Sequence, residues 1–562
     1  MIRRHQVTIP VLLVVFLSVI FLATIACSPA APSPEPAEEE PEPTEEEPEP
    51  TEEEPEPVGG VMRFGISQEP ETLDPHVTGQ AVTSRMMTNV LATLTYVSPE
   101  DGNIYPYLAR DWEVNEDGTE FTLYLRDDVV FHDGTPFNAE AVKYSFDRIV
   151  DPETASQSAA STLGPYTHSE VIDEYTIKVH FESPMPLFLT FLSGTTLAPV
   201  SPTAAEELGL DGFSINPVGA GPFKFVEWRS REYVEIERFD EFDWAPEPWG
   251  HQGPPLLDGV RYLFQLENEV RTGAVQAGDT HGAEDVSPHM VATLRENPDL
   301  NIVTVPFPGS PRQFMLNTQK APTDDVNVRK AINYSVDTTL MIERLFFGVY
   351  PPAKGPVSEI TPGYAPVGEG LYGYDLDRAA EYMQEAGYEK DDDGMWIKDG
   401  EPCRLEIHII GEVGSHESLA EAAQAQLLES GFEVEIIGLA RPAWYANLGT
   451  GEHNMAPMAL WSTTALRVCS ALYHSDEIGD GFNWSLLVDP EVDEWIDEAM
   501  STFDTDQQNA ILAKVQERVY VDHACTIGVF EQVNVSVFRE DVQDYFFNVD
   551  GYMVLVGAWL SE

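Results

Sequence analysis

Basic side chains are scarce in this chain. Lysine and arginine together number 31 of the 562 residues, against 96 aspartates and glutamates, so the formal net charge at pH 7 is −65. A field of that sign repels nucleic acid and does not favour any other polyanionic partner. The composition therefore excludes nucleic-acid binding from the functions that we consider.

Cysteine is also scarce, with four residues in the whole chain. One is Cys27, and the others are Cys403, Cys469 and Cys525. Three thiols allow at most one intramolecular disulfide, and their spacing fits neither a zinc knuckle nor a redox pair. We expect either buried thiols or a single disulfide.

Two short strings that suggest a metal site are incomplete. The acidic run that begins near Asp391 is similar to a calcium loop, but Gly400 occupies the position where a bidentate carboxylate is required. Two Asp-Gly turns in that run predict a hairpin instead. His416 begins a string like that of zinc proteases, but Ala420 replaces the second histidine. The sequence predicts no metal site, no cofactor and no catalytic residue.

The long apolar run of this sequence is at its beginning. Arg3 and Arg4 precede the apolar segment 7–25, and Cys27 follows it after one alanine. A basic start, an apolar stretch and a small residue before the cleavage site are typical of an export signal. We predict a signal peptide over 1–26 and a lipoprotein whose new N-terminus is lipidated Cys27. Thr24 stands where such signals usually carry leucine, and an uncleaved membrane anchor is the alternative.

The segment 31–57 contains only proline, glutamate, alanine, threonine and serine. It has no apolar side chain large enough to start a core, while glutamate repulsion and proline stiffness favour an extended chain. We predict an acidic, disordered tether over 27–57 that holds the rest of the protein outside the membrane. The remaining residues are too many for one hydrophobic core and predict two or three lobes.

The clearest local pattern lies in the segment 121–148. Every second residue from Phe121 to Leu125 is apolar, which is the period of a strand with one buried face. Gly134 lies in a tight turn, and Asn138 can cap the helix that follows. Further on, 404–410, 417–430 and 433–437 alternate as strand, helix and strand, which predicts a βαβ unit with parallel strands.

The string LRDDVVFHDGTPFNAEAVKYSFDR in this segment resembles the oligopeptide-binding group of extracytoplasmic solute-binding proteins, family 5, which serves ABC importers. The resemblance extends along nearly all of the chain from Gly60. It implies an α/β, periplasmic-binding-protein-like fold of the class II type. Two lobes with mixed sheets flanked by helices would enclose the ligand by hinge motion, and an additional subdomain would be attached.

The resemblance also implies lobes that are discontinuous in sequence. The expected divisions are lobe I over 58–95, 215–308 and 525–562, the extra subdomain over 96–214, and lobe II over 309–524.

The stretch after Trp461 bears on the choice of ligand. In peptide-binding relatives, the resemblance implies an aspartate here that pairs with the α-ammonium group of the peptide, and Thr464 stands at that position. A buried ammonium group needs such a partner, because a desolvated lone charge costs several kcal/mol. Arg467 replaces the aspartate of a following Asp-Pro. It would suit a carboxylate or phosphate if it faces the cleft; otherwise it is a surface arginine paired with an acid.

Other candidate ligand contacts follow from the same resemblance. The segment around Gln80 would approach the ligand from the first lobe, although an ordinary helix start explains it equally well. The tryptophans suit sugar rings or apolar side chains, with core packing as the alternative. The full candidate set is Gln80, Val82, Thr83, Asn317, Trp444, Trp461, Ser462, Thr463, Thr464, Arg467 and Trp484.

The expected function is a monomeric, extracytoplasmic binding lipoprotein that delivers a small ligand to an ABC permease and its ATPase. A peptide or peptide-like ligand is favoured by the family. An oligosaccharide, an opine-like acid and a metal chelate are the alternatives. A hydrolase or a sensor lipoprotein on the same scaffold would be a different class of function, but no G-x-S-x-G string supports a hydrolase.

Overall fold

The largest β-sheets of the described residues have seven, five and four strands; the first two are mixed, and the third is antiparallel. The computed structural model describes residues 59–411, 413–479 and 481–561. The predicted signal peptide, the lipidation of Cys27 and the acidic tether lie outside the described residues. No helix in the described part has the length and apolarity that a membrane crossing requires.

The strands have the following bounds: β1 Val61–Ile66, β2 Thr95–Val97, β3 Ile104–Pro106, β4 Ala109–Val114, β5 Glu120–Leu125, β6 Tyr166–Asp173, β7 Thr176–Phe181, β8 Phe223–Arg229, β9 Tyr233–Arg238, β10 Gly259–Phe264, β11 Gly282–Ala283, β12 Leu300–Pro306, β13 Arg312–Leu316, β14 Glu389–Lys390, β15 Trp396–Lys398, β16 Glu401–Pro402, β17 Arg404–Ile410, β18 Glu433–Leu439, β19 Met455–Met458, β20 Thr526–Phe530, β21 Val533–Arg539, β22 Val542–Gln543, β23 Phe546–Phe547, β24 Met553–Val554 and β25 Trp559–Leu560.

The α-helices have the following bounds: α1 Ala81–Met87, α2 Ala139–Val150, α3 Ala159–Leu163, α4 Phe188–Phe191, α5 Pro202–Phe213, α6 Asn268–Ala277, α7 Pro288–Leu294, α8 Val326–Ser335, α9 Thr338–Phe346, α10 Leu376–Glu385, α11 Gly414–Ser430, α12 Arg441–Thr450, α13 Ala465–Tyr473, α14 Pro490–Met500 and α15 Thr505–Glu517.

The seven-stranded sheet forms the first lobe together with the helices that pack on it. Its strand order is β12-β21-β11-β1-β10-β9-β8. Strand β1 is parallel to β10 and β11, whereas β21 is antiparallel to both β11 and β12. Met62, Phe64 and Ile66 of β1 are buried in its core, as their alternation predicts.

The five-stranded sheet forms the second lobe, with the order β18-β17-β19-β13-β20. The predicted βαβ unit is confirmed: β17 and β18 are parallel and joined by α11. This helix begins at Gly414 rather than at Glu417, and it ends at Gly431, which has a left-handed φ of 101°. Strand β20 pairs with β13 in this sheet, whereas its residues were expected in the first lobe.

The four-stranded sheet β4-β5-β7-β6 forms the extra subdomain with α2. Phe121, Leu123 and Leu125 point into its core, and the predicted cap of α2 is confirmed. The side chain of Asn138 accepts a hydrogen bond from the backbone N–H of Ala141 at 3.1 Å. The mixed sheets, flanking helices and two lobes confirm the predicted fold class.

A buried ion pair joins the subdomain to the first lobe. Asp74 is 0% exposed, and its carboxylate accepts a hydrogen bond from Arg148 Nη1 at 3.1 Å and contacts Arg148 Nη2. His76 Nε2 lies 3.0 Å from the carbonyl oxygen of Ala198. A carbonyl only accepts, so Nε2 carries the proton, and His76 Nδ1 accepts from Arg148 at 2.8 Å. The network satisfies the Asp74 carboxylate without water.

The three cysteines of the described residues are free thiols, and each is buried. Of the two expectations, the structure therefore has buried thiols and no disulfide among them. Burial raises the pKa of Cys403 and of Cys469 to about 12, which keeps both thiols protonated and unreactive. The strands β14, β15 and β16 form the hairpins predicted for the calcium-like run, with Gly394 and Gly400 at positive φ in the turns.

Candidate functional site

The parallel strands of both lobes end at the boundary between the lobes. In the first lobe β1, β10, β11 and β12 run in one direction, and in the second lobe β17, β18, β19 and β20 do so. The chain crosses from the carboxyl end of β12 to β13 through residues 307–311, and from the carboxyl end of β20 to β21 through 531–532. These short crossovers hold the two carboxyl edges face to face. Because ligands of α/β sheets bind at such edges, the cleft between the lobes is the candidate site.

The first crossover, residues 307–311, is hydrogen-bonded to the segment that follows β19. Ser310 N–H donates to the carbonyl oxygen of Leu460 at 2.8 Å, and Leu460 N–H donates to Ser310 Oγ at 2.8 Å. Gly309 has a φ of 126°, and a Cβ atom there would lie 2.1 Å from the Leu460 carbonyl oxygen. This close approach requires glycine, and it holds Trp461 at the mouth of the cleft.

The predicted residues from Trp461 to Arg467 lie together at the carboxyl end of β19. The Trp461 side chain is 49% exposed, and Thr463 and Arg467 are half-buried. Ser462 Oγ donates to the carbonyl oxygen of Thr464 at 3.1 Å. Thr464 caps α13, because its side chain accepts from the backbone N–H of Arg467 at 3.3 Å. The Thr464 hydroxyl, at the position where peptide-binding relatives are expected to carry aspartate, therefore acts as the N-cap of α13.

Three other candidates have structural partners in the second lobe. The rings of Trp444 and Trp484 pack edge to face with centroids 4.9 Å apart, and both side chains are buried. Trp444 Nε1 donates to the carbonyl oxygen of His408 at 2.9 Å. Asn317 is 0% exposed, and its amide donates to the carbonyl oxygen of His453 at 2.8 Å. Their role in ligand binding stays a prediction.

The three candidates of the first lobe lie around the start of α1. Gln80 Oε1 accepts from the backbone N–H of Glu71 at 3.1 Å, and Thr83 Oγ1 donates to the carbonyl oxygen of Thr72 at 2.6 Å. Val82 lines a cavity of about 30 Å³ on this lobe. A cavity of that size holds water rather than a peptide. These side chains lie on the lobe opposite to Trp461.

Carboxylates that the sequence analysis missed lie at the end of β11. Glu284 is 3% exposed and forms an ion pair with Arg85 at 2.7 Å. The next residue, Asp285, is half-buried and has a left-handed φ of 53°. Ser67 Oγ, directly after β1, lies 2.8 Å from Glu284 Oε1 and 2.5 Å from Asp285 Oδ2. The guanidinium of the buried Arg271 also donates to the backbone carbonyl oxygens of Glu284 and Asp285, at 2.9 and 3.1 Å, so two arginines accompany the two carboxylates at this edge.

Two arginines lie at the facing edge of the second lobe, together with Glu417 in the first turn of α11. Arg312, at the start of β13, is half-buried, and Arg441 is the exposed first residue of α12. Neither forms an ion pair with a carboxylate of the described residues. His416 is 6% exposed, and its Nδ1 has no hydrogen-bond partner within the described part of the chain. Burial lowers the pKa of His416 to about 4, and nearby Arg312 and Arg441 contribute to the decrease.

Tyr350 lies beside the second crossover. Its ring is half-buried, with its centroid 4.8 Å from that of Phe530 at the second crossover. Burial raises the pKa of Tyr350; the Asp285 carboxylate raises it further, and the Arg312 guanidinium opposes the rise. A signal for Arg312 was present in the sequence, as a rare cation just before the apolar residues 314–316.

The comparisons with known proteins agree with this architecture. Residues 103–478 match the model of the bacterial extracellular solute-binding proteins, family 5. The glutathione-binding protein GsiB of Pectobacterium atrosepticum is 25% identical over 504 residues, which cover 87% of this chain and 92% of that protein.

Solved structures of the same architecture cover nearly the whole chain. HbpA2 of Haemophilus parasuis has a TM-score of 0.79 at 21% identity, and the match covers 89% of this chain and 100% of that one. DppA of Helicobacter pylori, a periplasmic binding protein in complex with the peptide STSA, has a TM-score of 0.69 at 23% identity over 90% of this chain and 99% of that one. At these identities the similarity establishes the fold.

Proposed function

Because the chain belongs to family 5 of the bacterial extracellular solute-binding proteins, it binds a solute outside the cytoplasm for an ABC importer, and we propose that this solute is a small peptide or peptide-like molecule. The family membership sets aside the hydrolase alternative, since its members are binding proteins. The ligand would enter the cleft between the lobes, and the closed form would dock on the permease.

The observation that carries this proposal is the opposition of the two carboxyl edges across the two crossovers. Crossovers of this kind act as a hinge, because a few residues absorb the rotation while each lobe moves as a unit. A ligand that contacts both edges stabilises the closed form. The name of the glutathione-binding relative and the peptide in the DppA complex support a peptide-like ligand for this chain.

Native mass spectrometry tests the proposal directly. The full chain, purified in mild detergent, is analysed as isolated and after incubation with glutathione and with a pool of di- and tripeptides. We expect a saturable, stoichiometric adduct that is released unchanged on unfolding. A sugar, a metal chelate or a non-peptide acid as the released ligand would keep the importer role and contradict the peptide assignment.

A variant and its matched control test the role of Trp461 by the same measurement. Trp461→Ala removes a 49% exposed side chain at the cleft, and we expect it to weaken binding about tenfold by loss of apolar contact. Leu428→Ala removes a 45% exposed side chain from the last turn of α11, at the end remote from the cleft, and should leave binding unchanged. Equal binding by the two variants would show that Trp461 is not a ligand contact.

We also propose that the protein is held at the outer face of the membrane by lipidation of Cys27. The basic start, the apolar run and the position of the cysteine in the sequence support it. We expect Cys27→Ser to move the mature protein from the membrane fraction to the soluble fraction and to abolish labelling with a tritiated fatty acid. Unchanged membrane association without labelling would indicate the uncleaved anchor instead.

A further inference from the structure

We propose that Glu531 makes the hinge between the lobes sensitive to pH, because its buried carboxyl group fits the arrangement of the two crossovers only in the protonated form. Glu531 is the first residue of the second crossover, residues 531–532. A hinge of this kind would act on the motion of the lobes whatever the ligand is. The proposal therefore goes beyond the proposed function and does not depend on a peptide ligand.

A strap from the second lobe fastens both crossovers. We define the strap as residues 351–364, which lie between α9 and α10. At the second crossover, Glu531 N–H donates to the carbonyl oxygen of Pro351 at 2.8 Å. At the first crossover, Ser358 N–H donates to the carbonyl oxygen of Gly309 at 2.8 Å. A rotation of the lobes at the crossovers must therefore strain or break the bonds to the strap.

The two crossovers are also bonded to each other. Phe307 N–H donates to the carbonyl oxygen of Gln532 at 2.8 Å, and Gln532 Nε2 donates to the carbonyl oxygen of Ser310 at 3.1 Å. Gly309 N–H donates to Thr361 Oγ1 of the strap at 2.8 Å. The strap and both crossovers thus form one hydrogen-bonded network, and a change at Glu531 affects the whole hinge.

The carboxyl group of Glu531 lies inside this network without a hydrogen bond. The residue is 7% exposed, and neither carboxyl oxygen has a partner within the described part of the chain. The hydroxyl of Ser358, which is 1% exposed, and the phenol of Tyr364 are also unpartnered there. An ionised carboxylate that is removed from water and lacks donors is strongly destabilising, so such a group takes up a proton instead.

The charged groups around Glu531 do not compensate for its burial. The strap presents Lys354, Glu359 and Tyr364 to it. Lys354 is paired with Glu359 at 2.7 Å, so these two side chains together bring no net charge. Arg312, the charged residue of the neighbouring strand β13, forms no hydrogen bond or ion pair with Glu531 among the described residues. The neutral carboxyl group is therefore the form that fits this arrangement.

The sign of the pH effect follows from the burial. Burial raises the pKa of the Glu531 carboxyl above its usual range, although the Ser358 hydroxyl and the backbone N–H of Lys354 oppose the rise. As the pH increases from the usual glutamate pKa to this raised value, the arrangement loses stability relative to one in which the carboxylate reaches water. Ionisation therefore loosens the strap, and rotation of the lobes becomes easier at higher pH.

Hydrogen–deuterium exchange of the full chain, followed by mass spectrometry, measures the hinge locally. The reporters are peptides that contain the bonded N–H groups of Gly309, Ser358 and Glu531. Exchange is measured from pH 5 to pH 8, and each protection factor is corrected for the intrinsic exchange rate at that pH. We expect the protection of the wild-type reporters to be about tenfold lower at pH 8 than at pH 5.

Three variants assign this effect to one carboxyl group. Glu531→Gln keeps the shape of the neutral group but cannot ionise, and we expect it to abolish the fall in reporter protection. Glu540 is exposed in the turn after β21, and the control Glu540→Gln should follow the wild type. Ser358→Ala should keep the fall but move it to higher pH, because it removes a hydroxyl that favours the ionised form.

The protection of α2, in the subdomain, shows in the same experiment that each variant is folded. The same fall in the wild type and in Glu531→Gln overturns the proposal, and so does constant protection in the wild type. Loss of reporter protection at every pH in Glu531→Gln, with α2 still protected, also overturns it, because a neutral amide would then fail to replace a neutral acid. Failure to bind peptides contradicts the proposed function alone.

Discussion

Replacement of Asp74 by asparagine lowers the free energy of unfolding by about 3–5 kcal/mol, the range expected when one partner of a buried ion pair is removed. Asp74 is 0% exposed, and the side chain of Arg148 is 8% exposed, so water cannot solvate the arginine once its counter-ion is gone. The carboxylate also accepts the backbone N–H of His76 at 3.0 Å. Loss of the pair therefore disturbs the loop after β1 as well as α2.

Urea unfolding followed by far-ultraviolet circular dichroism measures this effect. The matched control is Asp128→Asn, which breaks an ion pair with Arg126 at 2.6 Å in which the Asp128 side chain is 57% exposed. We expect the control to cost less than about 1 kcal/mol, because water replaces the lost partner. Similar losses in the two variants would mean that the Asp74 pair does not hold the subdomain to the first lobe.

Acidification from pH 7 to pH 5 destabilises the protein through its buried histidines. Burial lowers the pKa of His76, His416 and His453 from 6.5 to about 4. In the unfolded chain these histidines become protonated below about pH 6.5, whereas in the folded chain they stay neutral until about pH 4. Stability falls as the pH drops through this window, by about 2 kcal/mol each for His76 and His453 at pH 5 and by less for His416, whose ring is less completely desolvated. Asp550 acts in the opposite direction, since burial raises its pKa to about 7.

A single substitution isolates one of these contributions. His453 is 0% exposed, and its Nε2 donates to the carbonyl oxygen of Trp484 at 2.8 Å, a bond that a glutamine amide can replace. We expect His453→Gln to reduce the loss of unfolding free energy between pH 7 and pH 5 by about 2 kcal/mol. His289→Gln, at an exposed site, should follow the wild-type profile. Parallel profiles for all three proteins would show that His453 is solvated in the folded state.

Elements with strong local signals were predictable from the sequence. The strand at Phe121, the cap at Asn138 and the helix stop at Gly431 depend on periodicity and backbone conformation within a few residues. The start of α11 was less well predicted, because Val413 provides no side-chain cap that would mark it. The placement of β20 differed because a strand's sheet depends on its partner, here β13.

The candidate site was only partly predictable. The resemblance located the stretch after Trp461, and the structure brings that stretch to the crossover at Gly309. The sequence does not distinguish a tryptophan that contacts a ligand from one that packs in the core, and the same holds for asparagine. Burial distinguishes them: Trp444 is 2% exposed and Trp461 is 49% exposed. No local pattern in the sequence carries that difference.

The sequence by itself determined the sign of the charge, the local elements and the family, because each depends on residue types and on spacing along the chain. Only the tertiary structure decided which charges meet. Asp74 and Arg148 are 74 residues apart, and they pair because α2 of the subdomain packs against the loop that follows β1 of the first lobe. The position of the cleft is likewise a property of the folded chain alone, because long-range pairing of non-consecutive strands brings the carboxyl edges of two sheets together.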